Sequence, residues 1–314
     1  MSSSFWPLIK FVPAQTHFKF TRLAPYAAIV SGLAVIASVV SFFTLHLNLG
    51  LDFKGGTVIE FVTPGPAPLG EMRAALTKAG VKDPHVQGLG APNEAKLSYS
   101  AEGEDATAGV AKLEAQLAQQ FPGIKFKPAN AVGGKVSGEL FTSGMLALGI
   151  ALGLMLLYIW FRFQLQFGLG AVVAIFHDLI LTIGILSVTQ IEFSMTSIAA
   201  LLTIIGYSMN EKVITFDRLR ENLRKYKRTS LRDIIDLSEN ERLSRTLITG
   251  STALLALGGM LFLGGQALFP LVFAMVFGIV IGTYSSIYVA LPIILVWGVK
   301  RNDEEAKPLQ PNRP

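Results

Sequence analysis

Residues 193–216 read FSMTSIAALLTIIGYSMNEKVITF. From Phe193 to Asn210 there is no charge; then Glu211 and Lys212 stand side by side, and four more uncharged residues follow before Asp217. A helix needs roughly 20 apolar residues to cross the hydrocarbon core of a bilayer, and this run is long enough. An ion at the bilayer centre costs about 2.5–3.5 kcal/mol, so such residues face a bundle interior or a watery cavity and find partners there. The stretch therefore predicts a membrane helix with two ions turned inward.

The rest of the chain repeats the apolar theme. Residues 23–45 and 140–161 carry no charge, and 163–191 has only His177–Asp178 near its middle. Residues 246–299 are uncharged throughout, too long for one span, and GGQALFP (264–270) breaks them with a Gly pair and a Pro. Six transmembrane helices follow: 23–45, 140–161, 163–191, 193–216, 246–264 and 270–298. Across its 314 residues the chain is 51% apolar and 16% charged, with a mean hydropathy of +0.49. Soluble domains carry about 25% charged residues. The fold class is an α-helical polytopic membrane protein surrounded by membrane lipid. The first run reads as an uncleaved anchor, because 23 residues exceed a signal-peptide core and no A-x-A site follows.

Sidedness is read from Lys and Arg in short loops. Lys10, Lys19 and Arg22 precede the first span, Arg162 follows the second, the loop 217–245 has nine Lys/Arg against six Asp/Glu, and four more cations lie in 299–314. The opposite loops offer Gln190, Glu192 and Gln266. Both termini, 1–22 and 299–314, are thus expected in the cytoplasm, and 46–139 outside. The net charge of +5 fits this bias, and no nucleic acid is expected as a partner. There is no cysteine, hence no disulfide framework and no thiolate metal site. No Ser/His/Asp set, phosphate loop or metal spacing appears, so no catalytic residue is assigned and the chain is not read as an enzyme.

Residues 46–139 suffice for one small domain. TVIEFV (57–62) alternates as a strand does, 69–79 is helical in pattern, VQGL and AKLSYS (95–100) read as strands, 106–120 as an amphipathic helix, and IKFKPA as a last strand. The order β-α-β-β-α-β predicts a ferredoxin-like α+β domain, on the outer side, between spans one and two.

Glu211 and Lys212 are about 100° apart on a helix, so at least one needs a partner on another helix. Tyr207, Ser208 and Thr215 give Glu211 a polar stripe. Arg245, the last charge before span five, is the candidate partner, and Asp178 is a second carboxylate placed to face the bundle. A carboxylate that holds a proton when desolvated and releases it beside Arg is a proton relay. Other readings stand beside it: the helix slides until Lys212 snorkels to the interface, Arg245 only anchors the cytoplasmic side, and His177–Asp178 is a structural hydrogen bond between helices. Gly149-x3-Gly153 and Gly278-x3-Gly282 suggest close helix packing.

Several motifs resemble a known family. LGLDFKGGTVIEF (49–61) is similar to the Asp-Phe-x-Gly-Gly turn of the SecD/SecF family, accessory subunits of the bacterial preprotein translocase. Asp52, Gly55 and Gly56 make a tight turn there, the glycines permitting it and Asp52 capping local backbone. VGGKVSGEL (132–140), HDLILTIGILSV (177–188), GYSMNEKVITFDRLREN (206–222), SRTLITGST (244–252) and GTYSSIYVALPIIL (282–295) resemble the family in the same order, with an outer region of SecF size. The family usually has Asn-Asp where this chain has Asn210–Glu211. The resemblance implies a proton-relay role for Glu211 and Arg245, with Asn210 beside them. It implies protons as coupling ion and no other cofactor. It also implies a SecD-like subunit as the other half of a twelve-span unit, the Sec translocation channel as neighbour, and unfolded preprotein as substrate. A small-molecule or lipid exporter half and a purely structural translocon subunit remain the rival functions.

Overall fold

The computed structural model describes residues 16–81, 84–89, 91–99, 106–132 and 134–299. The expected N-terminal segment before residue 16, the tail from residue 300, Ser100 and Gly133 lie outside the described residues. The elements run α1 (Phe20–Leu45), α2 (Leu51–Lys54), β1 (Gly56–Val62), α3 (Leu69–Lys78), β2 (His85–Gly88), β3 (Glu94–Tyr99), α4 (Ala106–Gln120), β4 (Lys125–Phe126), β5 (Asn130–Val132), α5 (Gly134–Arg162), α6 (Leu165–Thr189), α7 (Met195–Lys225), α8 (Leu231–Leu263), α9 (Gly265–Ser285), a five-residue π-helix (Ser286–Ala290) and α10 (Leu291–Trp297).

Among the described residues five helices are long and apolar enough to cross a membrane: Phe20–Leu45, Val136–Arg162, Leu165–Thr189, Leu231–Leu263 and Leu268–Trp297. The helix α7 is longer than most of them but carries the ions. The central element is α6, with 61% of its apolar stretch buried, against 11% for α1 and 6% for α5. The outer helices thus leave broad apolar faces uncovered within this chain, including Leu146, Leu154, Trp160 and Phe161 on α5.

The unit between α1 and α5 is a small antiparallel sheet covered by two helices. Strand order is β2-β3-β1-β4, and β5 also pairs with β1. In β1, Ile59 and Phe61 point inward while Glu60 points out, as the strand period demands. Ile59 lies opposite Leu97 and Phe61 opposite Ala95. Met72 and Leu76, four apart on α3, and Val110, Leu113 and Leu117 on α4 fill the face above them.

The stretch 217–245 is helix almost throughout. Helix α7 runs on to Lys225, a short turn follows, and Ser230 opens α8 by accepting from the Asp233 N–H at 3.2 Å. Arg218 and Asn222 of α7 both reach Glu241 of α8, at 2.8 and 2.6 Å.

The last helix is interrupted for a covalent reason. Pro292 has no N–H to offer the carbonyl one turn back, and its ring crowds that carbonyl. The chain widens there into the π-helix Ser286–Ala290. A side chain at Gly170 of α6 would meet the Ala290 carbonyl at 2.8 Å, so the bulge seats against glycine.

Of the two glycine spacings, Gly278 and Gly282 lie against Ile204 and Ser208 of α7, while Gly149 and Gly153 face open space. Gly278→Leu is therefore expected to destabilise the purified chain in detergent by about 1–3 kcal/mol through overpacking, and Gly149→Leu to change it by less than about 0.5 kcal/mol. Thermal unfolding of the two variants side by side checks this; equal losses would contradict the α7–α9 contact.

Candidate functional site

Helix α7 brings its two ions to two different neighbours. Lys212 Nζ lies 2.9 Å from Asp178 Oδ2 on α6. Glu211 Oε2 lies 3.4 Å from Arg242 Nη1 on α8. Asp178, Glu211, Lys212, Glu239 and Arg242 are all no more than 4% exposed. Adjacent residues on a helix diverge by about 100°, which is why each ion finds its own partner.

The first cluster joins α6, α7 and α9. Asp178 Oδ2 accepts from Ser208 Oγ at 2.5 Å and from Ser285 Oγ at 2.7 Å, besides Lys212. Its other oxygen, Oδ1, lies 3.0 Å from His177 Nδ1. Ser208, expected on the Glu211 stripe, thus belongs to the lysine's cluster. Thr215 bonds the Glu211 backbone carbonyl at 2.8 Å, and the buried Tyr207 hydroxyl finds no partner among the described residues.

The second cluster centres on Arg242. It donates to Glu239 through Nε at 2.8 Å and Nη2 at 2.6 Å, to Thr246 Oγ1 at 2.7 Å, and to Ser286 Oγ at 3.0 Å. Thr246 Oγ1 in turn donates to Glu211 Oε2 at 3.3 Å. One guanidinium is shared by two buried carboxylates, tightly by Glu239 and loosely by Glu211. With all three ionised the cluster has one negative charge in excess, and a single bound proton brings it to neutrality. An uncompensated charge in a low-dielectric interior is costly, so the balance of this cluster is the feature that sets it apart from the first.

The neighbouring serines of the bulged helix tie the clusters together. Ser285 serves Asp178 and Lys212, and Ser286 serves Arg242.

The expected pairing of Glu211 with Arg245 is corrected: Arg242 takes that place. Ile235, Glu239, Arg242, Thr246 and Gly250 recur at helical spacing and are buried, whereas Arg245 stands about 60° to the flank and is exposed. That stripe, not proximity to the apolar run, was the signal for Arg242 and Glu239. Asn210 is exposed and joins neither cluster.

The Asp-Phe-x-Gly-Gly turn is bound to the same helix. Asp52 was expected to cap local backbone; instead its Oδ2 accepts from the Met195 N–H, the first residue of α7, at 3.0 Å. A carboxylate there also meets the positive end of the helix dipole. Phe53 packs against Phe141 of α5 and Phe193 just before α7. Gly55 and Gly56 have φ of 70° and 129°, and a side chain at Gly56 would collide with the Tyr99 carbonyl.

Arg242→Ala is expected to destabilise the protein by about 3–5 kcal/mol, because it strands two buried carboxylates. Arg245→Ala should fall within about 0.5 kcal/mol of wild type. Unfolding in detergent decides, and the reverse order would restore Arg245 as the partner.

Residues 112–300 match the C-terminal family of protein export membrane proteins SecD/SecF, and residues 40–63 match the SecD/SecF GG motif. The chain is 43% identical to the protein translocase subunit SecF of Rhodobacter capsulatus, over 96% of this chain and 95% of that one. It is 35% identical to the subunit of that name from Rickettsia bellii, over 93% and 97%. Its fold matches the crystal structure of SecDF, a translocon-associated membrane protein from Thermus thermophilus, with a TM-score of 0.82 and 30% identity over 92% of this chain. The chain spans 40% of that SecDF chain.

Proposed function

The chain belongs to the SecD/SecF family of protein-export membrane proteins, among the SecF subunits, and we propose that it uses the proton-motive force, with a SecD-like half, to assist protein export. The observation that carries the proton step is the Arg242 cluster: two buried carboxylates, one guanidinium, one proton short of neutral. A proton on Glu211 weakens its attraction for Arg242, which then rests on Glu239, Thr246 and Ser286. Loss of the proton draws Arg242 back. Moving one charge across the membrane supplies about 2.3 kcal/mol per 100 mV. Arg245, on the exposed flank of the same helix, is proposed to take over Glu211 when α8 turns, as the family resemblance implies, with Asn210 facing the partner half.

Proton and counter-ion movement at Glu211 shifts α7, and α7 is fastened at its outer end to Asp52 and Phe53. The movement would reach the outer domain, which acts on unfolded preprotein near the Sec translocation channel. In this reading α7, fourth in chain order, brings the transmembrane helices to six, the outer domain is ferredoxin-like and periplasmic, and both termini are in the cytoplasm of a bacterium, with the bundle in its inner membrane. The β-α-β-β-α-β order with strands 2-3-1-4 supports the domain assignment. The uncovered apolar faces of α1 and α5 support a partner half, as does the longer SecDF chain. Protons are the only coupling ion proposed, with no other cofactor and no covalent chemistry.

Glu211→Gln keeps the size and hydrogen-bonding capacity of the side chain but cannot cycle a proton. Reconstituted with its SecD-like partner, the variant should fold and assemble, while proton uptake and gradient-stimulated export fall to background. Wild-type proton uptake by an assembled variant would sink the proposal.

A further inference from the structure

We infer that Asp178, Ser208 and Ser285 form a binding site for a monovalent alkali cation, and that the Lys212 ammonium is its resident occupant. Lys212 Nζ donates to four oxygens: Asp178 Oδ2 at 2.9 Å, Ser285 Oγ at 3.0 Å, Ser208 Oγ at 2.5 Å and the Ser208 carbonyl at 3.4 Å. Carboxylate, hydroxyl and carbonyl oxygens are the ligand set that hard cations take. The protons of the site are already spent. Both serine hydroxyls donate to Asp178 Oδ2 and so turn lone pairs toward the ammonium. His177 sits on the other carboxylate oxygen and fixes the plane of the group.

Charge sets the valence. The cluster holds a single carboxylate among neutral oxygens, so one positive charge balances it and two would not. The position is dry, since Lys212 is fully buried and Asp178 and Ser285 are 1% or less exposed. Three helices supply the ligands, α6, α7 and α9, which also pack directly on one another. Lysine reaches the spot from one turn below Ser208 on the same helix, so shortening it opens space at the oxygens while leaving them in place. The site stands on the Asp178 cluster alone and survives or fails independently of proton movement at Glu211.

The test is Lys212→Ala in the full chain, with sodium chloride, potassium chloride and choline chloride compared at equal ionic strength. The variant should bind about one Na⁺ or K⁺ per chain by equilibrium dialysis. Its melting temperature should rise with that ion and not with choline, as ligand linkage requires. Wild type should show neither effect. Adding Ser285→Ala should weaken binding at least about tenfold, since one of the few ligands is lost. Adding Asp178→Asn, which makes the cluster neutral, should abolish the salt dependence. A folded Lys212→Ala protein that binds neither ion overturns the inference, as does ion dependence that persists with Asp178→Asn. Failure of Lys212→Ala to fold in all three salts overturns it too, because no alkali ion then replaces the ammonium.

Discussion

Charges removed from water have to be matched inside the protein, and in this chain that rule arranges the bundle. Glu211 and Lys212 are neighbours in sequence and diverge around α7, so no single partner can satisfy both. One side of α7 must be met by an acid and the other by a base. Asp178 of α6 and Arg242 of α8 meet them, and those two helices are thereby fixed on either flank. The space between is closed by α9, whose glycines Gly278 and Gly282 let it lie against α7 and whose end presents one serine to each cluster. An α-helix turns successive residues apart by about 100°; the local π-turn enforced by Pro292 adjusts this angle where the two serines have to serve two sites.

The clusters differ in balance, and this gives them different tasks. Lysine and Asp178 cancel. The arginine cluster does not cancel, and its bond to Glu211 is the longest in it. A balanced pair resists change in its surroundings and holds three helices together. The unbalanced set is the one to which the proposed proton exchange is assigned. Both sit on one rigid helix, so any shift at the unbalanced set pivots against the balanced one.

Much of this was legible in the sequence. Uncharged runs located the long apolar helices, and the ions interrupting them located the buried ion clusters, because lipid tolerates so few charges that each one is informative. Alternation and turn residues gave the outer strands and helices. Partner choice was less legible. Arg245 adjoins the apolar run and Arg242 does not, yet α8 begins fifteen residues earlier than the apolar run, and its register turns Arg242 inward. The bond from Asp52 to α7 was also hidden, since turn chemistry describes only local backbone and this acceptor serves a distant helix end. The partner of Lys212 needed three-dimensional knowledge of which face of α6 meets α7.

That last helix end has a consequence for biosynthesis. Asp52 and Met195 are separated by 143 positions, so the acceptor for the first N–H of α7 is made long before its donor. When Met195 leaves the ribosome, the Asp52 turn at the end of α1 is already made, and the intervening domain must leave that carboxylate free. Until then the first turn of α7 has only its local Ser194–Ser197 capping box. A nascent chain arrested before α7 would therefore expose a turn that is shaped for a helix not yet synthesised, and the seating of that turn waits on the arrival of α7.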